Sequence, residues 1–219
     1  MRKAAFLDRD GVINIDHAYV SRREDFEWVE GVLDAARKLY EAGYALVVVT
    51  NQSGIGRGYY TETDFEALNV YMCRMFEEAG APLAGIYFCP HHPEKAIGAY
   101  KIACTCRKPQ PGMILRAAEE MSIDLSQSIL FGDKESDMQA AQAAPAAFCL
   151  AKTDLTHRKP PWPVQTFLVP SQQQSPNSAS EPCLQRCKTN GRAAQKAALP
   201  FCLNFCARRA PYDVVPPPT

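Results

Sequence analysis

No stretch of this 219-residue sequence is long and apolar enough to cross a membrane as a helix. Its opening, MRKAAFLDRDG, lacks the unbroken apolar core of a secretory leader, because acids intrude at positions 8 and 10. Net charge is missing as well: 24 Lys+Arg balance 24 Asp+Glu. That balance hides a division. Up to Pro145 there are 15 basic against 21 acidic residues, and from Ala146 onward 9 against 3. The rear segment is also poor in glycine, holding only Gly191 of the twelve, yet it carries 11 of the 17 prolines. An acidic front portion repels a phosphate backbone, so neither nucleic acid nor a membrane is an expected partner. The cytoplasm is the expected location, where the nine cysteines serve as thiols or metal ligands and not as disulfides.

What is present is enough for a full core: 47% of the residues are hydrophobic. Residues 3–7 read as a short buried strand. GVLDAARKLYEAG follows as a helix, with Val32, Ala35, Ala36 and Leu39 on one face and Gly43 as its stop. YALVVVT, 44–50, is a β-branched run without alternation, as a strand covered on both faces requires. Thr61 and Asp64 form a capping pattern that opens a helix whose stripe is Phe65, Leu68, Met72, Phe76 and Ala79, closed by Gly80. GIYF, GMILRAAEEM, SILFGD and SDMQAAQAA continue the alternation as strand, helix, strand and helix. The fold class is therefore α/β, a doubly wound parallel sheet. Such sheets bind ligands at the carboxyl ends of their strands, where Asp8, Asp10, Thr50, Asn51 and Asp133 all fall.

Asp8 and Asp10, two apart on an extended chain, point the same way and repel, so something positive or a proton should lie between them. A Mg²⁺ ion near Asp8, Asp10 and Asp133 answers this, since magnesium takes a few acids, waters and a substrate phosphate. An aspartate beside such an ion can attack phosphorus, and a second carboxyl can protonate the leaving oxygen and then activate water. Thr50 and Lys108 can hold the phosphoryl oxygens. Taken singly, each feature has a plainer account: D-x-D and Gly132-Asp133 as turns, Thr50-Asn51 as a strand end, Lys108 as a solvated lysine. Their convergence at matching strand ends favours chemistry.

FLDRDG, VVVTNQSG, CRKPQPGM and FGDKESDM resemble, in order, the four motifs of the haloacid dehalogenase (HAD) superfamily of phosphohydrolases. The sequence is still more similar to the D-glycero-D-manno-heptose 1,7-bisphosphate 7-phosphatases, almost continuously over residues 4–144. The fold this implies has no large cap domain. The resemblance implies Asp8 as nucleophile, Asp10 as general acid/base, and Mg²⁺ on Asp8, the Asp10 backbone carbonyl and Asp133. Thr50 and Lys108 would steady the phosphoryl group, through an aspartyl-phosphate intermediate. It also implies sugar contacts from Asp16, His17, Ala18, Tyr19 and Val20, and from Asn51, Gln52, Ser53, Arg107 and Lys134. Arg107 suits the second phosphate, because a planar guanidinium takes a phosphate bidentately. Asp137, one helical turn past Asp133, is either a support for that site or an ordinary acid on a helix surface.

CPHHPEKAIGAYKIACTC offers Cys89, Cys104, Cys106 and one of His91 or His92, a Cys₃His set of the kind that holds structural zinc. The resemblance implies Zn²⁺ on Cys89, His91, Cys104 and Cys106, stiffening the loop that delivers Arg107 and Lys108. With every position taken, no place is left for a reacting water.

Beyond MQAAQAA the resemblance stops. The expected division is a phosphatase core over 1–145, with its zinc loop at 89–106, and an atypical Pro-rich basic segment over 146–219. A reading-frame shift in the coding DNA near codon 145, or a divergent disordered extension, accounts for the change. AAFCLA is a candidate replacement for the lost strand, and Cys183/Cys187 with Cys202/Cys206 form two weak C-x₃-C pairs. The expected function is removal of the 7-phosphate from the heptose bisphosphate by a monomer. The alternatives are a histidinol-phosphate phosphatase and, more remotely, a zinc-bearing nucleic-acid module.

Overall fold

A computed structural model describes residues 1–150 and the backbone of Thr166–Phe167. The sheet is built from β1 (Ala4–Leu7), β2 (Ala45–Asn51), β3 (Leu83–Cys89), β4 (Ile129–Gly132) and β5 (Ala147–Leu150), all parallel, with a short antiparallel β6 (Thr166–Phe167) paired to β5. Strand order is β3-β2-β1-β4-β5-β6. The chain thus moves outward from β1 to β3, then returns to place β4 on the other flank of β1. That reversal opens a crevice at the carboxyl ends of β1 and β4, the usual ligand position in an open α/β sheet.

Alternate strand residues feed two separate cores. Ala4, Phe6, Val47, Val49, Leu130 and Phe148 pack with Met113, Ile114 and Ala117 of α4 (Gly112–Met121) and Ala140 of α5 (Glu135–Ala143). Ala5, Leu7, Leu46, Val48, Phe131 and Cys149 pack with Ala36 of α1 (Val32–Glu41) and Leu68, Met72 and Phe76 of α3 (Glu62–Glu78). Two covered faces explain why YALVVVT shows no polar alternation. Burying Phe6 alone stabilises by about 1.5–3 kcal/mol. The capping pattern before α3 forms as expected: Thr61 Oγ1 accepts from the Asp64 amide at 3.1 Å while Asp64 Oδ2 accepts from the Thr61 amide at 2.8 Å.

The sheet runs past residue 145. AAFCLA supplies β5, in register with β4 from Ile129↔Ala147 to Gly132↔Leu150, and buries Phe148 and Cys149 on opposite faces. The expectations for Cys183, Cys187, Cys202 and Cys206, and for disorder in the rear segment, lie outside the described residues.

Candidate active site and metal cluster

Asp8 follows β1 directly, and its amide extends the ladder by donating to Phe131 O at 2.9 Å. Its side chain is buried, with Oδ2 3.0 Å from Lys108 Nζ. Lys108 is buried too: Nζ donates to Val49 O at 2.8 Å and lies 2.6 Å from Asp137 Oδ1, an ion pair whose angle is too poor for a hydrogen bond. Burial pushes the Asp8 carboxyl up to about 6, with Lys108 pulling it down and Asp137 adding to the rise.

The chain does not stay extended across the D-x-D pair. The amides of Val12, Ile13 and Asn14 all turn back onto Arg9 O, at 3.3, 2.8 and 3.1 Å, so strand geometry ends before Asp10. Each acid has a basic partner of its own. Arg9, fully buried, reaches both Asp10 oxygens through Nη2 at 3.0 Å, and also donates to Val20 O at 2.7 Å. Asn14 Nδ2 and Gln52 Nε2 complete the grip on Asp10, at 3.1 and 3.0 Å. Gly11 closes this turn at φ +91°, and a Cβ there would lie 2.2 Å from Asp133 Oδ2, so both backbone and space demand glycine.

Carboxylate oxygens of Asp8, Asp133 and Asp137 lie within 4.8 Å of one another, and Asp133 Oδ1 is buried without a hydrogen-bond partner. Three carboxylates offset by one ammonium, with an orphaned oxygen turned inward, fit a divalent cation taking hard oxygen ligands. The Asp10 side chain is not among this trio. Asp137, undecided from sequence, is wholly buried, and its Oδ2 accepts from the Lys134 amide at 3.0 Å to cap α5.

The remaining candidates divide by burial. Thr50 is buried and its Oγ1 accepts from Gln52 Nε2 at 2.8 Å. Asn51 grips the main chain of Lys108, donating to its carbonyl and accepting from its amide, both at 3.0 Å. Ser53 opens the short helix α2 (Ser53–Gly56). Asp16, His17, Ala18 and Tyr19 sit on a flap whose base is pinned by Val29 N→Ile13 O at 3.0 Å and Ile15 N→Glu27 O at 2.8 Å. At its tip Ala18 and Tyr19 adopt left-handed φ values of 60° and 58°. Lys134 Nζ ties the flap to the β4–α5 turn through Asp16 Oδ2 at 2.9 Å; burial opposes that carboxyl's charge, but the Lys134 bond and charge win and lower its pKa. His17 pairs with Glu27 at 2.8 Å. Arg107 Nη1 donates to His91 O at 3.2 Å. Arg57, absent from the sequence reading, comes close to the same segment, because Gly56 backs onto Pro90 O; its guanidinium stacks 5.5 Å from the Tyr19 ring, and its Nε is buried without a partner.

At the end of β3, Cys89 Sγ lies 3.5 Å from Cys104 Sγ, 3.2 Å from Cys106 Sγ and 3.6 Å from His91 Nδ1, with Cys106 3.2 Å from Cys104 and 3.5 Å from His91 Nδ1. Such edges enclose a tetrahedron with a centre about 2.0–2.2 Å from each vertex, close to metal–thiolate and metal–imidazole lengths. His91 is the histidine of the cluster. His92 is turned away, its Nδ1 accepting from the Glu94 and Lys95 amides at 3.2 and 3.1 Å. With the three thiols sharing hydrogen bonds, those bonds lower the Cys104 pKa and raise those of Cys89 and Cys106.

Sequence reasoning passed over Arg9, Asn14, Arg57 and Tyr60. A buried arginine between two acids gives no signal apart from its place in the motif. Gln52, read as a sugar contact, is buried and commits both ends of its amide to protein groups.

Over residues 105–171 the chain matches the HAD-hydrolase-like family model. It is 52% identical over 141 residues to the D-glycero-beta-D-manno-heptose-1,7-bisphosphate 7-phosphatase of Yersinia pestis, covering 64% of this chain and 75% of that protein. The protein of the same name from Escherichia coli (strain K12) is likewise 52% identical over 141 residues, with 64% and 74% covered. Among solved structures, the D,D-heptose 1,7-bisphosphate phosphatase of B. bronchiseptica, complexed with magnesium and phosphate, superposes with a TM-score of 0.61 at 36% identity, covering 68% of this chain and 79% of that one.

Proposed function

The chain belongs to the HAD-like hydrolases and, within them, to the heptose-1,7-bisphosphate 7-phosphatase family, and on that premise we propose that it hydrolyses the 7-phosphate of D-glycero-β-D-manno-heptose 1,7-bisphosphate. Asp8 attacks phosphorus, the bond from phosphorus to the sugar oxygen breaks, and Asp10 gives that oxygen its proton. Asp10 then takes a proton from the water that attacks the aspartyl phosphate, releasing phosphate and regenerating Asp8. Thr50 and Lys108 hold the phosphoryl oxygens through both steps. Mg²⁺, held by Asp8, Asp133 and the Asp10 carbonyl, would neutralise the negative charge gathered between carboxylates and phosphate. Zn²⁺ on Cys89, His91, Cys104 and Cys106 would supply no chemistry of its own; it would fix the loop bearing Arg107 and Lys108.

The observation that carries this reading is the meeting of Asp8, Lys108 and Asp133 at the strand-order reversal. Two guanidinium groups, Arg107 and Arg57, beside residues 90–92 favour a substrate with a second phosphate, taken at the sugar's other end. Asp16, His17, Ala18, Tyr19, Asn51, Ser53 and Lys134 are the proposed sugar surround. Gln52 adds no side-chain group to it, since its amide is spent on Asp10, Thr50 and Tyr60.

The proposed working form is a monomer, because every candidate group comes from one chain. The proposed setting is the cytoplasm, where thiolate ligands stay reduced. Among the described residues no helix is long and apolar enough to cross a membrane. Phosphate release from the heptose bisphosphate and from histidinol phosphate, by wild type and Asp8→Asn, tests the whole reading. Turnover of the bisphosphate that vanishes in Asp8→Asn is expected; a preference for histidinol phosphate, or undiminished turnover by the variant, would overturn it.

A further inference from the structure

Gln52 has no side-chain hydrogen left to give a ligand. Its side chain is 2% exposed; Nε2 donates to Asp10 Oδ2 at 3.0 Å and to Thr50 Oγ1 at 2.8 Å, and Oε1 accepts from the Tyr60 hydroxyl. An amide has one accepting and one donating end, so these three contacts exist in only one of its two orientations. Reversed, Oε1 would face the Asp10 carboxylate, acceptor against acceptor. The Asp10 carboxylate, which only accepts, sets which end of the amide faces it, and the Tyr60 hydroxyl, by donating to Oε1, anchors the other end. The room for its ring comes from Gly54, where a Cβ would stand 2.2 Å from Tyr60 Cε1.

We propose that Tyr60, acting through Gln52, is a positioning residue for the phosphatase reaction: it fixes the amide that orients Asp10 and that reserves the Thr50 hydroxyl hydrogen for the phosphoryl group. The inference rests on the roles of Asp10 and Thr50 proposed above. A threonine hydroxyl has one hydrogen and two acceptor sites. Gln52 Nε2 fills one acceptor site, leaving the hydrogen to be donated to a phosphoryl oxygen. At Asp10, Gln52 approaches Oδ2 and Asn14 approaches Oδ1, with Arg9 Nη2 bonded to both. Arg9 Nε adds a longer contact to Oδ1 at 3.3 Å, so three side chains together fix the plane of the carboxyl group and Gln52 is one of them. Without the Tyr60 hydroxyl Oε1 is buried without its partner and the amide is free to shift, so Asp10 loses one support while Thr50 loses its direction.

Leaving-group dependence separates this role from a structural one. A sugar alkoxide needs a proton as it departs, whereas p-nitrophenolate does not. Tyr60→Phe is expected to lower kcat/KM, which stops at departure of the leaving group, about ten-fold for the heptose bisphosphate and by no more than about three-fold for p-nitrophenyl phosphate. Gln52→Glu, which keeps the volume and the acceptor for Tyr60 but turns a second acceptor toward Asp10, should widen that gap. Should either variant melt too early to assay, the other still reads the same ratio. Wild type with no activity on the bisphosphate would sink the proposed function itself. Wild type active on it, with losses of kcat/KM on the two substrates equal within two-fold, would overturn the inference alone.

Discussion

Asp137→Ala is the substitution that best separates a buried support from a surface acid. Asp137 is 0% exposed; one oxygen lies 2.6 Å from Lys108 Nζ and the other caps α5 through the Lys134 amide at 3.0 Å. Removing one partner of a buried ion pair costs about 3–5 kcal/mol. Lys108 keeps Asp8, 3.0 Å away, which argues for the lower end of that range. Loss of the cap adds about 1 kcal/mol, not fully additive because both contacts belong to one side chain. The expected total is about 3–4 kcal/mol, or a fall in Tm of roughly 6–16 °C at 2–4 °C per kcal/mol for a chain of this size. Asp137→Asn keeps shape and cap but not charge, and should cost about half as much. Urea or guanidinium unfolding measured in chelator, so that no divalent ion contributes, gives the difference directly. A helix-surface acid would change stability by less than about 0.5 kcal/mol. An Asp137→Ala result in that range would refute the account of Lys108 as a lysine held between two buried acids.

Asp8 makes a pH prediction with a definite sign. Its folded pKa, about 6, lies above the unfolded value of 3.8, so its stabilising effect is complete below 3.8 and is lost as pH rises through 6. The metal-free wild type should therefore lose stability relative to Asp8→Asn between pH 4 and 7, as thermal melts in chelator will show, and a constant difference would contradict the assignment. Protein purified without chelator should carry about one zinc per chain by atomic absorption, and Cys106→Ser should shed it and lose kcat/KM through the loosened Arg107–Lys108 loop; a zinc-free active wild type would refute this. Gly11→Ala forces a left-handed backbone and a 2.2 Å clash with Asp133 Oδ2, so weakened Mg²⁺ binding by calorimetry and a loss of about 1–3 kcal/mol are expected, against no change if the turn is slack.

The strands were legible because apolar runs ended abruptly in Asp8, Thr50 and Asp133, and a parallel sheet aligns such ends in space. The Cys₃His set was legible from spacing, but the choice between His91 and His92 rested on the family resemblance, since adjacent residues differ only in which way the chain turns. Asp137 was not decidable: its burial depends on Lys108, which is 29 positions earlier and joins it only in the folded sheet. Asp8 and Asp10 misled for a different reason. Strand geometry was carried two residues too far, past the point where three amides fold back on Arg9 O. Gln52 shows the limit of motif position as a guide, because an amide beside a binding loop can serve the ligand or the catalytic groups, and only its partners tell which.

The hairpin-like excursion between Ile13 and Val29 lies between β1 and α1, and its two ends are stitched together where it departs. Residues beyond those stitches can be exchanged for a segment of other length or chemistry without shifting the central strand that ends at Asp8. With the roles proposed above, selectivity toward the organic part of the ester and the power to cleave it are separated in the architecture. A descendant of this scaffold could then acquire a new preference by cassette replacement while inheriting Asp8 unchanged.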